Sequence, residues 1–385
     1  YKAWMVANDQ LNTGLFIVYD NMSRVQVGRV RARRVSGFGV HLTGAASGGV
    51  RSSGISYESI ICEDVAVPLG LLNGLRNVRI GSVQAKGSFY SFATATLGTG
   101  TAQLPLLQSN GAGVVVGALM QAITLPVGTD MSAFDIGQAV YLQDIAGGLD
   151  VQLVVWSVDT VNCILNVFKY SSPTTRPWQV GSDGATALAT IWTSRGPGVF
   201  IEGSTANNYD HRTLHFGSVQ LDTIAGKAVS NTNQGVGVSY IQDLKIDTLS
   251  TVDCYAGPHL YNIVDMSIGS VSVIRTGNRR TGNDNTNSGF YLNHCKDVEI
   301  AKIRSIGETI GAMTRNGSSE VFLDVGNNNV KALNATVGSS NNGATALTAI
   351  GTNILLGDPR LANGTNFTPY TTGGTNVSTF RYGLT

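Results

Sequence analysis

Six stretches of this chain read alike: Val25-Gln-Val-Gly-Arg-Val30, Val78-Arg-Ile-Gly-Ser-Val83, Leu214-His-Phe-Gly-Ser-Val219, Leu244-Lys-Ile-Asp-Thr-Leu249, Met266-Ser-Ile-Gly-Ser-Val271 and Val298-Glu-Ile-Ala-Lys-Ile303. Apolar residues hold the first, third and sixth positions, and a small or turn-forming residue holds the fourth. The apolar–polar–apolar triplet has the period of a strand with one buried face. The fourth residue breaks that alternation where Gly or Asp accepts the backbone of a corner. The later copies begin at 214, 244, 266 and 298, so they lie 30, 22 and 32 residues apart. Periods of this size mark a unit that stacks on itself.

A helical repeat would need apolar positions at 3.6-residue spacing over ten or more residues, and these runs do not supply them. Short second runs follow the phrase instead: Phe38-Gly-Val-His-Leu42, Phe89-Tyr-Ser-Phe92, Pro258-His-Leu-Tyr261 and Gly289-Phe-Tyr-Leu292. Two or three short strands per turn, joined by corners, predict an all-β chain built as a parallel β-helix, and parallel crossovers are right-handed. With 47 Gly in 385 residues and only 13% charge, the composition suits many tight corners and strands facing one continuous core.

The expected organisation has four parts. Residues 1–95 form the first part of the solenoid. Residues 96–180 form a small inserted barrel or sandwich, because the phrase lapses there and strand-like runs separated by Gly and Asp turns take over between Gln121 and Phe168. Residues 181–330 resume the solenoid, and residues 331–385 supply a cap or an oligomerisation region. A net charge of +1 gives no electrostatic case for nucleic acid. No apolar run approaches the roughly 20 residues that span a bilayer, so membrane insertion is not expected. The chain starts at Tyr1, and a repeat copy begins at Val25, which suggests a fragment of something longer. Cys62, Cys163, Cys254 and Cys295 lack metal-ligand spacing, so no metal or cofactor is expected, and they read as buried thiols.

Aligning turns on the phrase places charged residues in one column after it: Asp222, Asp253, Arg275 and Glu308. Adjacent turns stack about 4.8 Å apart. Carboxylates one or two turns apart then fall near 5 or 9–10 Å, which brackets the separations of retaining and inverting glycosidases. Asp222, Asp253 and Glu308 are therefore the candidate acid and base, with Glu202 as a further one where the chain re-enters the solenoid. Each of them is also a plausible corner residue. Asp247 is set aside, because it fills the slot that other copies give to Gly. Arg275, Arg279 and Arg280 flank a long Asn- and Gly-rich excursion that can offer donors to hydroxyls and carboxylates. His259, Tyr261, Tyr291, Asp210 and Trp192 complete the candidate substrate contacts. His259 or Tyr261 would be the base if the chemistry were elimination.

The stacked Val-x-Ile-Gly-x-Val turns resemble the β-helical body of bacteriophage tailspikes, which are similar in fold to pectate-lyase-type polysaccharide enzymes. The likeness covers roughly 23–92 and 199–325. It implies a homotrimer, carried on a virion or otherwise extracellular, that binds and often cleaves bacterial surface polysaccharide. The polygalacturonase-type signature is not met: Asn231-Thr-Asn233 stands where Asn-Thr-Asp would be required, and there is no Asp-Asp pair. No catalytic residue carries over from the resemblance. A glycosidase, a polysaccharide lyase on the same fold and a non-catalytic adhesin all remain open at this point.

Overall fold

The computed structural model describes residues 16–18, 22–35, 37–44, 52–72, 74–98, 102–107, 115–144, 150–169, 178, 186–194, 196–202, 211–233, 237–238, 241–274, 289–307, 321–323, 328–332, 335–339, 345–349, 352–357, 360–361, 368–372 and 375–380. Among them the chain is almost entirely β, with a single 3-10 turn at Met131–Ala133. No helix of the described residues is long and apolar enough to cross a membrane.

Two parallel sheets carry the repeated phrase and the runs that follow it. The long sheet has 12 strands, including Gln26–Arg33, Ser53–Glu63, Arg76–Lys86, His211–Asp222, Ile241–Val252, Ile263–Ile274 and Lys296–Gly307 in that spatial order. The short sheet has 10, among them Phe38–Thr43, Val67–Leu72, Val199–Glu202, His259–Tyr261 and Phe290–Asn293. The chain alternates between the two sheets. Each long strand lies parallel to the preceding long strand, for example Leu214 beside Val78 and Leu244 beside Leu214. The phrase's apolar positions all point into the space between the sheets. Val78, Ile80, Val83, Leu244, Ile246, Leu249, Met266, Ile268 and Val271 are at most 2% exposed. They form one core with Leu69, Leu71, Ile201, Leu260 and Leu292 of the short sheet.

Two columns of special backbone bound each long strand. Before the phrase stand Gly54, Asn77, Thr213, Asp243, Asp265, Asp297, Asn329 and Asn353, all at φ between 51 and 67°. Asn and Asp tolerate this left-handed region better than other side chains. Asp265 and Asp297 are thereby corner formers, and Asn329 Nδ2 donates to Asp297 Oδ1 at 2.7 Å across the stack. Gly at the fourth position of the phrase is not at positive φ, and at Gly217 and Gly269 close packing is the constraint instead. A Cβ at Gly217 would sit 2.5 Å from the Gly81 carbonyl oxygen, and one at Gly269 would sit 2.5 Å from that of Asp247.

A third, antiparallel sheet of seven strands runs from Phe89–Leu97 to Thr186–Trp192. Val115–Thr124, Ile164–Lys169, Asp150–Asp159, Ala139–Asp144, Thr186–Trp192 and Phe89–Leu97 pair in succession, and the last pairs back to the first. Six strands thus close on themselves around Leu142, Leu153, Val155, Leu165, Val167 and Ile191. The Phe89–Phe92 run, expected as a rung of the solenoid, opens this sheet instead. Its residues pair antiparallel with Ala189–Trp192. Alternating apolar residues serve either sheet type, so the pattern alone did not separate them. The segment after Val325 carries further strands of both parallel sheets, including Thr345–Ala349 of the short sheet and Thr352–Gly357 of the long one.

The phrase yields a stability contrast. Gly217→Ala should destabilise the chain by about 1–3 kcal/mol, because backbone must move to admit the methyl group. Gly28→Ala holds the same place in the first copy, where the nearest atom is the Glu58 carboxylate at 3.8 Å. That variant should unfold within about 0.5 kcal/mol of the unmodified chain. Denaturant titration of both variants measures the difference.

Candidate functional site

On six successive long strands, from Gln26–Arg33 to Ile263–Ile274, the last residue faces outward at the same register. In stacking order the column reads Arg33, Glu63, Lys86, Asp222, Val252 and Ile274. Each lies eight residues after the first residue of its phrase, once Ile55-Ser-Tyr-Glu-Ser-Ile60 is recognised as a further copy. The second outward column, two residues earlier, reads Arg31, Ile61, Gln84, Gln220, Ser250 and Ser272. The middle of the two columns, Ile61, Glu63, Gln84, Lys86, Gln220, Asp222, Ser250 and Val252, lines a groove of about 470 Å³, with Arg31 and Arg33 beyond one end and Ser272 and Ile274 beyond the other.

Four side chains of alternating charge therefore stand on consecutive rungs. Arg33 Nε lies 3.3 Å from Glu63 Oε2, with both side chains more than half exposed. Such an exposed pair adds little stability, but it limits where the Glu63 carboxylate points. Asp222 is half-buried and accepts a 2.8 Å hydrogen bond from the Thr223 hydroxyl. Glu63 and Asp222 are two rungs apart, so their strands are separated by about 9–10 Å. Lys86 occupies the rung between them.

The structure changes the expected pairing. Asp222 lies beside Val252, and the residue stacked one turn from Asp253 is Thr223. Asp253 is one position past the strand, at φ 53°, with its N–H donated to the Ile274 carbonyl. It is 8% exposed and belongs to a corner column with Arg34, Asp64 and Thr223. A one-residue offset on a strand reverses the face, so Asp222 and Asp253 do not share one. Glu202 ends the strand Val199–Glu202, in register with Leu72 of the short sheet rather than with the long-sheet column. Glu308, Asp210, Arg275, Arg279 and Arg280 lie outside the described residues.

Trp192 is 1% exposed and packs edge-on against Phe89, with ring centroids 4.6 Å apart. With Tyr141 it seats the closed antiparallel sheet on Ala225 of the next corner. Its indole is spent on packing and is not available to stack on a sugar. His259, Tyr261 and Tyr291 come together on the short sheet. The Tyr291 ring lies 5.1 Å from His259 and 5.2 Å from Tyr261. His259 is fully buried and Tyr291 is 8% exposed, which leaves half-buried Tyr261 as the member that faces outward.

The corner beside the groove also anchors the closed sheet. Asp64, 5% exposed, accepts hydrogen bonds from Ser88 Oγ at 2.9 Å and Thr193 Oγ1 at 2.5 Å. Ser88 and Thr193 are the residues where the chain leaves for that sheet and returns. Arg34 adds a 2.8 Å ion pair with Asp135, a contact that raises the guanidinium's already high pKa. Elsewhere on the long sheet, His215 Nε2 lies 3.1 Å from Asp247 Oδ2, and Lys245 Nζ lies 3.3 Å from Asp247 Oδ1. The His215 contact, then that of Lys245, holds the Asp247 carboxyl below its usual range.

No protein-family model matches the chain, and no curated protein matches it. Solved structures align with it over most of its length at low similarity. The Gp54 tailspike of Acinetobacter baumannii bacteriophage AP22, solved with A. baumannii capsular saccharide, aligns at 8% identity and a TM-score of 0.16, covering 85% of this chain and 72% of that one. The tailspike protein gp49 from Pseudomonas phage LKA1 aligns at 10% and 0.17, covering 84% and 72%. A glycoside hydrolase aligns at 9% and 0.18, covering 85% and 89%. Superpositions this loose carry no argument about the chemistry of this chain.

Among the described residues no group of His, Cys, Asp and Glu is placed to hold a metal ion. Burial pushes the thiols of Cys62, Cys254 and Cys295 up to about 12. In the folded chain these thiols should resist iodoacetamide at pH 8 and react on denaturation. Because the folded values lie above the ordinary 9.0, the unfolded chain loses these protons first, and stability should fall as pH rises from about 9 towards 12. Thiol alkylation read by mass spectrometry and urea titration at pH 8 and 10 check both expectations.

Proposed function

We propose that this chain binds and cleaves bacterial surface polysaccharide as an endo-glycosidase, with Glu63 and Asp222 as its acid/base pair. The observation that carries the reading is two outward carboxylates, two rungs apart, in one groove about 470 Å³ in volume. A separation of about 9–10 Å between their strands, shortened by side-chain reach, suits an inverting enzyme, where water must fit beside the sugar. One carboxyl protonates the departing oxygen while the other takes a proton from the attacking water. Lys86, between them, is placed to bind a hydroxyl or ring oxygen at the scissile bond.

In this reading the two parallel sheets are faces of one right-handed parallel β-helix. The closed antiparallel sheet is a small domain inserted at the corner between Ser88 and Thr193, and the region after residue 330 completes and caps the coil. The homotrimer, the virion or extracellular location and the role of Asp210, Arg275, Arg279 and Arg280 in holding substrate belong to the same proposal. The burial of His259 argues against a lyase that uses it as base, because a base must reach the proton it removes.

The test is incubation with purified capsular polysaccharides and O-antigens, following polymer size, reducing ends and the ultraviolet absorbance of new double bonds. Reducing ends of inverted anomeric configuration, seen by NMR, are the expected result. Glu63→Gln and Asp222→Asn should each lower kcat by about 10²–10⁴-fold while the polymer still binds. Absorbance without dependence on these residues would transfer the chemistry to a lyase. A polymer that is bound and never shortened would leave an adhesin.

A further inference from the structure

An inverting pair imposes a direction on its substrate. Water, the anomeric carbon, the departing oxygen and the acid lie roughly in line, and that line is the bond joining one sugar to the next. Glu63 and Asp222 are displaced along the stacking axis, so a glycan cleaved between them runs along that axis, across the strands rather than beside them. Its sugars on either side of the broken bond then meet different rungs.

The two sides differ in chemistry. Beyond Asp222 the outward column continues with Val252 and Ile274, flanked by Ser250 and Ser272, all half-buried. This is an apolar shelf edged with hydroxyls, suited to the face of a neutral sugar. Beyond Glu63 the same two columns hold Arg33 and Arg31, both exposed on the strand Gln26–Arg33. Arg33 is engaged with Glu63, whereas Arg31 lies in register with Ile61, an uncharged residue. A guanidinium fork matches a carboxylate better than it matches a hydroxyl.

We infer that the groove takes an acidic polysaccharide, with a carboxylate-bearing sugar held at Arg31 and Arg33 and a neutral sugar over Val252 and Ile274. The inference rests on the proposed axial placement of the acid/base pair. Arg33 is a positioning residue that also orients Glu63, and Arg31 is the specificity determinant. A polymer bearing carboxyl groups on one sugar of its repeat would be cut with that sugar always on the same side of the new ends.

The experiment uses the full chain carrying Asp222→Asn, so that bound polymer stays intact, against an array of purified acidic and neutral capsular polysaccharides. The tightest binder is then compared with its carboxyl-reduced form, in which each carboxylate has become an alcohol. Binding should weaken about tenfold on reduction, the scale of one lost charge-assisted contact, and Arg31→Gln should erase that difference while leaving binding of the reduced polymer unchanged. A neutral tightest binder, or a preference for the acidic form that survives Arg31→Gln, overturns the inference. The cleavage assay is separate: reduced polymer cut as fast as acidic polymer by the unmodified chain removes the acidic subsite and keeps the glycosidase. Arg31-dependent binding of a polymer that the unmodified chain never cuts keeps the subsite and removes the glycosidase.

Discussion

The backbone ladder between stacked parallel strands is the constraint from which the rest of this molecule follows. A parallel strand satisfies its amides only through neighbours that come from other turns of the chain, so every turn must return at the same height and in the same register. The two columns of left-handed residues make this possible. Arg34, Asp64, Thr223 and Asp253 each turn the chain and still donate an N–H to the next strand, at 2.8 to 3.1 Å. Because the ladder carries through the corner, the residue just before it is fixed in height and face on every turn. That is why Arg33, Glu63, Lys86 and Asp222 can form a column although 189 positions separate the first from the last in sequence (222 − 33).

The same constraint explains how the antiparallel sheet can lie between Lys86 and Val199 in sequence without disturbing the parallel ladder. The chain departs at a corner, after Lys86, where the ladder's obligations for that strand are already met by Gly87 donating to the Asp222 carbonyl at 2.9 Å. It returns at Thr193, whose hydroxyl reaches the same Asp64 oxygen as Ser88. One buried carboxylate thus ties departure to return. A buried carboxylate is costly unless it is hydrogen-bonded, and this one has both hydroxyls in place. Asp64 follows Glu63 directly and Ser88 lies two residues after Lys86, so the hydrogen bonds that hold the closed sheet also fix the end of the groove.

The repeated phrase made the strands, their buried faces and the stacking legible, because apolar positions one, three and six are what the core requires. The copy Ile55–Ile60 is harder to see, since Tyr57 stands at a position filled elsewhere by Ile, Val or Phe, and Glu58 fills the slot that four other copies give to Gly. Missing it hid Glu63. Sequence aligns Asp253 with Asp222, whereas the ladder aligns Val252, an offset of one. Sequence shows that a corner is near, but whether a residue ends the strand or begins the turn depends on which amide still has a ladder partner. Carboxylates favour both places, so residue type could not decide it. Trp192 is ambiguous in sequence for a related reason: an aromatic residue outside the repeat can as well pack a closed sheet onto a corner, as it does here, as meet a ligand.

Register matters more than residue type for what this surface can do. A lone Asp at the end of a strand is an ordinary residue, and so is a lone Glu. Stacking converts their separation in sequence into a fixed distance in space, a whole number of rungs of about 4.8 Å each. Even rung numbers put two carboxylates on either side of an intervening residue, here a lysine, and that spacing leaves room for water beside a sugar. A shift of one residue in either strand would send one carboxylate to the corner, where Asp253 now stands, and the pair would cease to exist. The backbone ladder prevents such a shift, because slipping by one residue would turn Cys62, Ala85 or Leu221 out of the core at the same time. The chemistry proposed for the groove is therefore held in place by the packing behind it.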